Sequence, residues 1–150
     1  MAVETKATAT IYNMRTPYLQ QGRTTDVRAR TDLMTVTAKV YAEGGENAMH
    51  HHVHEDHTFF VLEGEATFHI ETDDNTQVVK KYEGVMLPRF VNYWFQSSGE
   101  GNLVMIRVGA LHKGVPNQRL TPDGRDIPGD SEENKTSERI ELPGKIFGDK

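Results

Sequence analysis

Residues 25 to 110 carry almost all the β-forming residues, and several of their segments place apolar side chains at every second position, a spacing that commits the backbone to extended strands. Met34, Val36, Ala38 and Val40 alternate with Thr35, Thr37, Lys39 and Tyr41. Successive side chains of a strand point to opposite faces, so this segment has one apolar face and one mixed face. Phe59-Phe60-Val61-Leu62 is apolar throughout and stops at Gly64, while Ala66, Phe68 and Ile70 alternate again and turn His69 away from them. Asp73-Asp74-Asn75-Thr76 is a turn before Val78-Val79, Glu83-Gly84 precedes Val85-Met86-Leu87-Pro88, and Ser98-Gly99-Glu100-Gly101-Asn102 leads into the strand ending at Val108. No helical period or internal repeat interrupts the series. Short strands joined by short polar turns predict an all-β chain, an antiparallel sandwich or barrel.

The flanks differ. Residues 1–24 are Thr-rich and weakly apolar and read as an N-terminal arm; residues 25–110 are the β-body; residues 111–150, with Pro116, Pro122, Pro128 and Pro143, read as an extended C-terminal tail. Val3, Ile11, Tyr12, Met14, Tyr18 and Leu19 in front, with Ile140, Leu142, Ile146 and Phe147 behind, are too sparse for a core of their own. They are expected to strap the barrel or a second subunit, which predicts a homodimer.

Charge and composition bound the partners. With 17 Lys and Arg against 22 Asp and Glu, a net charge of −5 and no Lys/Arg block, the chain lacks the basic footprint of a nucleic-acid binder. No run approaches the roughly 20 apolar residues of a membrane span, and the N-terminal residues show no secretory pattern, so a cytoplasmic protein acting on a small molecule is expected. The absence of cysteine excludes disulfides and thiolate ligands.

Five of the seven histidines, His50, His51, His52, His54 and His57, crowd into one short segment. On a strand His50 and His52 share a face about 6.5–7 Å apart, close enough to aim both imidazoles at one ion. His57 has the opposite parity and joins them only if Val53–Asp56 turns or bulges, for which Glu55 and Asp56 are suitable residues. His51 points the other way, and His54 is a further possible ligand if the strand continues. The alternative is a His-rich surface loop with little affinity for metal.

These residues resemble the cupin superfamily, marked by Gly-x5-His-x-His-x3-4-Glu-x6-Gly followed by Gly-x5-Pro-x-Gly-x2-His-x3-Asn. Gly44, His50, His52 and Gly64 fall on the first motif, with His57 at the glutamate position. The second motif is degenerate: Gly84 and Pro88 are present at a shorter gap, with Phe90 in place of Gly, Tyr93 in place of His and Ser97 in place of Asn. The resemblance spans about residues 34–108. It implies an antiparallel double-stranded β-helix, the jelly-roll barrel of that superfamily, with a metal-binding pocket inside.

Several readings of function stay open. His50, His52 and His57 would hold one divalent transition metal, Fe(II) or Zn in the first place and Ni, Cu or Co besides, since imidazole disfavours Mg and Ca. Tyr93 is a ligand, a proton donor or a wall residue. By family resemblance a three-His iron site suggests a non-haem dioxygenase acting on a chelating, enolisable or aromatic molecule. A zinc site suggests a non-redox cyclase, isomerase or lyase with Tyr93 shuttling a proton, and a third reading is a binding protein without turnover. Tyr41, Phe59, Trp94 and Phe95 line the pocket or form plain core. Arg107 clamps a substrate carboxylate if its face looks inward and is otherwise an exposed strand position. His112, just past the last strand, is a minor candidate for approach to the metal.

Overall fold

The computed structural model describes residues 7–42 and 47–149, so Val3 and the Gly44 of the first motif lie outside the described residues. The strands are β1 (Thr16–Gln21), β2 (Asp26–Arg30), β3 (Met34–Tyr41), β4 (His51–His52), β5 (Glu55–Glu63), β6 (Glu65–Ile70), β7 (Thr76–Lys80), β8 (Gly84–Leu87), β9 (Tyr93–Ser97), β10 (Leu103–Leu111), β11 (Arg119–Leu120) and β12 (Ile140–Phe147). Among the described residues the helical content is one 3-10 turn at His112–Gly114, and no helix is long and apolar enough to cross a membrane.

Every ladder is antiparallel. A five-stranded sheet, β2-β3-β10-β5-β8, faces a three-stranded one, β7-β6-β9. Tyr41, Phe59, Val61, Leu103 and Met105 of the first interlock with Ala66, Phe68, Val79, Tyr93 and Phe95 of the second in one buried cluster. Two short ladders, β1-β12 and β11-β4, complete the fold. The hydrogen bonding leaves two separate sheets, so the architecture is a jelly roll rather than a closed barrel.

The face of β3 that packs inward is not the one its pattern favours. Val40, with Ala42 and Val104, lies on the outer side of the large sheet, under Leu19, Tyr18 and Phe147 of β1 and β12. Thr37, Lys39 and Tyr41, the mixed face, point between the sheets. The two arms thus pair with each other (Thr16 opposite Phe147, Leu19 opposite Glu141) and cover the large sheet of their own chain. Tyr18, Leu19 and Phe147 form this cover, whereas Ile11 is 95% exposed. Asn102 ties the strap down: its side chain accepts from the Leu19 N–H at 2.6 Å and donates to the Leu19 carbonyl at 3.0 Å. Leu19 is the only large aliphatic side chain of β1 and is buried to 2% exposure. Leu19→Ala is therefore expected to cost about 3 kcal/mol by urea unfolding, the usual loss for a buried leucine, whereas Ile11→Ala is expected to change nothing measurable.

Candidate functional site

The first motif is bent, and the bend creates the site. His50 is bridged to Tyr93 by paired backbone bonds (His50 N–H to Tyr93 O at 3.1 Å, Tyr93 N–H to His50 O at 2.8 Å). β4 then runs for two residues against β11, with His52 opposite Arg119. Val53 and His54 form bends, and β5 starts at Glu55 with Glu55, His57 and Phe59 turned inward. The parity change expected for His57 thus occurs one or two residues earlier than the acidic pair. Glu55 belongs to the strand and is 7% exposed. It packs where Gly109 of β10 has no side chain; a Cβ there would collide with its carboxylate.

His50, His52 and His57 come together. Their rings are buried, with centroids 5.0 Å apart for His50 and His52 and 4.2 Å for His52 and His57. The Tyr93 phenol stands among them, its oxygen 3.3 Å from His52 Nε2 and 3.3 Å from His57 Nδ1. Outer groups flank each ring: Ala48 O lies 2.6 Å from His50 Nδ1 and Asn117 Nδ2 2.7 Å from His52 Nδ1, while Glu55 Oε1 is 3.0 Å from His57 Nε2 without forming a hydrogen bond to it. One proton assignment satisfies the chain. Asn117 donates to His52 Nδ1, His52 Nε2–H to the Tyr93 oxygen, and the Tyr93 O–H to His57 Nδ1, which leaves the His57 Nε2–H facing the Glu55 carboxylate.

Beside this cluster lies a cavity of about 560 Å³. His50, His52, Tyr93, Tyr41, Phe59 and Phe95 form one part of its wall, and Lys39, Arg107, Arg119 and Arg23 another. His57 and Glu55 are not on the wall; they back Tyr93 from behind. Burial sets the charge states. It lowers His50 and His57 well below the ordinary imidazole range and His52 to about 2, helped by Arg119 at His50, by His57 at His52 and by Arg107 at His57. Burial likewise pushes the Tyr93 and Tyr41 phenols and the Glu55 carboxyl up, lowers Lys39 well below the usual lysine value, and brings Arg119 down to about 10.

The chemistry of three neutral imidazoles suits a borderline dication, but their arrangement here does not enclose one. Among the described residues no three His, Asp or Glu side chains present their donors to a common point. Nδ1 of His50 faces the Ala48 carbonyl, and Nε2 of His57 is turned to Glu55. The Arg119 guanidinium, 3.1 Å from His50 Nδ1, adds positive charge beside the cluster.

Other expected residues fall differently. Tyr41, Phe59 and Phe95 line the cavity, and Arg107 does too, so its face looks inward. Trp94 points outward, stacked on His69 at 3.8 Å. His54 sits at the bend, its carbonyl accepting from the His112 N–H at 2.6 Å, and it is not among the cavity residues. His112 is exposed, and His51 turns away to Asn92 Oδ1 at 2.8 Å. Sequence reasoning missed Glu55, Lys39, Asn117 and Arg119. Lys39 had a visible signal, a lysine inside a well-formed alternating strand; Arg119 and Asn117 lie in a tail whose composition reads as solvated chain.

Comparison with known proteins agrees with this architecture. A family model described as a cupin domain matches residues 39–109. No curated protein sequence matches the chain. Among solved structures, the Cnp3 cupin domain of Schizosaccharomyces pombe superimposes with a TM-score of 0.58 at 18% identity, covering 63% of this chain and 69% of that one. A double-stranded β-helix protein from Klebsiella pneumoniae gives 0.56 at 21% identity over 64% and 83%. KdgF from a Halomonas species gives 0.51 at 15% identity over 59% and 76%. Identities this low carry the fold and nothing finer.

Proposed function

The chain belongs to the cupin superfamily, and from that premise we propose that it is an enzyme of the non-redox, acid–base kind, moving a proton on a small organic molecule held in the cavity. The observation that carries this reading is the Tyr93 oxygen poised 3.3 Å from both His52 Nε2 and His57 Nδ1 on the cavity wall. A phenol in that position gives its proton to a substrate atom while the His52 Nε2–H holds the phenolate oxygen left behind, and it recovers a proton from the substrate or from solvent when the turnover ends. In the opposite sense it takes a proton from the substrate while passing its own to His57, whose developing charge Glu55 stabilises. Isomerisation, cyclisation and elimination next to a carbonyl all need this exchange and no oxidant. The apolar rings of Tyr41, Phe59 and Phe95 keep that side of the cavity dry, which strengthens each polar contact made there.

The direct test is proton NMR in D2O with a panel of enolisable keto acids and keto sugars. Catalysed exchange at carbon next to the carbonyl is expected, with no oxygen consumed. A wild-type protein that exchanges nothing across the panel would overturn the proposal.

A second reading keeps one divalent transition metal, iron or zinc, on His50, His52 and His57, with the dioxygenase chemistry that iron would bring. What favours it is the presence of three buried neutral imidazoles side by side. Elemental analysis of protein purified without added metal separates the two. The acid–base reading expects less than stoichiometric metal and exchange that survives EDTA dialysis; stoichiometric iron with oxygen uptake would replace it.

A further inference from the structure

The basic wall of the cavity is unusual for a chain of net charge −5. Lys39 of β3 is 6% exposed, and its ammonium has one polar partner, Thr25 Oγ1 at 2.7 Å, besides the face of Tyr41 at 5.3 Å. Arg107 of β10 reaches Thr37 Oγ1 only at 3.5 Å and leaves its Nε buried without a partner. Arg119 of β11 is held by neutral groups, the Ile127 carbonyl at 3.1 Å and Asn134 Oδ1 at 2.7 Å. Among the described residues no salt bridge involves any of the three. Asp130 is the one carboxylate on the cavity wall among them, and it sits on the exposed tail. Lys39 is buried and the two guanidiniums are half-buried; Glu55 acts on Arg107 and Asp26 on Lys39 only through space, without a contact ion pair, and cations removed from water ordinarily have such a partner.

We infer that Lys39, Arg107 and Arg119 form an oxyanion subsite, so that the substrate of the proposed reaction carries a carboxylate or phosphate group. The inference rests on the acid–base reading for what happens at the other end of the molecule. It also fixes a spacing. Arg107 pairs with Phe59, and Gly109, two residues on, pairs with His57. Along the backbone the two positions are thus one strand repeat, about 7 Å, apart, and the Arg119 guanidinium, 3.1 Å from His50 Nδ1, brings the anion seat beside the imidazoles. A substrate that satisfies both ends has its oxyanion a few bonds from the atom that exchanges a proton. Burial and the guanidiniums of Arg107, Arg23 and Arg119 depress Lys39, opposed only by Asp26, and an oxyanion in contact with Lys39 favours its charged form.

Isothermal titration calorimetry on the full chain, as purified and after EDTA dialysis, tests the subsite with inorganic phosphate, malonate and neutral malonamide. Phosphate or malonate is expected to bind one to one in both preparations and malonamide not at all; which anion binds more tightly distinguishes phosphate from carboxylate recognition. Arg107→Met and Lys39→Met are each expected to weaken binding about tenfold or more, the usual worth of a charge-assisted contact. Arg107→Lys, which keeps the charge, retains part of the affinity, and circular dichroism checks each variant for folding. Binding equal in the wild type and in folded Met variants, no binding of either anion, or binding that vanishes with EDTA would overturn the subsite. Tyr93→Phe keeps anion binding in every case. Wild-type protein that binds the anion but exchanges nothing therefore strikes the acid–base reading alone, and exchange on neutral carbonyls without anion binding strikes the subsite alone.

Discussion

Tyr93→Phe is expected to slow catalysed proton exchange by about 10²- to 10⁴-fold while leaving the fold and the cavity in place, the range by which a positioned acid–base group contributes. The substitution removes one oxygen from a ring that is otherwise held by packing: Tyr93 lies 6.0 Å from Phe59 and 6.5 Å from Phe95, ring centre to ring centre, and belongs to the main buried cluster. Its backbone pairing with His50 does not involve the phenol. Loss of the hydroxyl leaves His52 Nε2 and His57 Nδ1 facing each other without the shared partner, a stability cost of about 1–2 kcal/mol. The measurement is exchange rate against unfolding free energy for the same preparation. A variant that unfolds early or exchanges at the wild-type rate would show that Tyr93 is a packing residue. Glu55→Gln supplies a graded companion, because it removes the charge behind His57 and keeps the shape that fills the space above Gly109.

The largest effect on stability is expected from Gly64→Ala. Gly64 sits between β5 and β6 at φ +81, and a Cβ there would lie 2.6 Å from the Asn102 carbonyl oxygen and 3.1 Å from the Leu103 Cα, both backbone atoms that no rotamer change can move. Left-handed strain and the overlap together are expected to cost about 3 kcal/mol or more. Gly101 is the internal control. It has φ +71 and open space around the same position, so Gly101→Ala is expected to cost only about 1–2 kcal/mol. Equal urea midpoint shifts for the two variants would mean that backbone approach contributes nothing.

The glycine positions also show how much of the fold is legible in the sequence. Gly64 is visible as the end of an apolar run and as the last residue of the first motif. Phe90 stands where that family pattern has a second glycine, and it adopts φ +73, a conformation that favours glycine. Such a position is invisible to composition, because only the dihedral reveals it. The histidines divide in the same manner. Simple parity places His50 and His52 on one face, and the need for a bend before His57 comes from the same rule. Where the bend falls depends on β4 being held to β11, a strand of the tail that no local signal marks. Glu55 reads locally as a turn residue because acids are rare in strand interiors, yet the absence of a side chain at Gly109, on the neighbouring strand β10, makes room for it.

Alternation and turn chemistry in the sequence alone determined an all-β chain, the strand segments of its central part, and a histidine set able to gather on one side of a strand. Those are local properties, set by the extended backbone and by which residues tolerate a turn. The tertiary structure alone decided which face of each strand looks inward. A period of two marks two faces and names neither as interior. Here the paired arms cover the apolar face of β3 and β10 from outside, so Lys39 and Arg107 are left pointing between the sheets, where Arg119 of the tail meets them. Part of the apolar burial is met on the outer side, and the inner side holds charge beside its own apolar cluster.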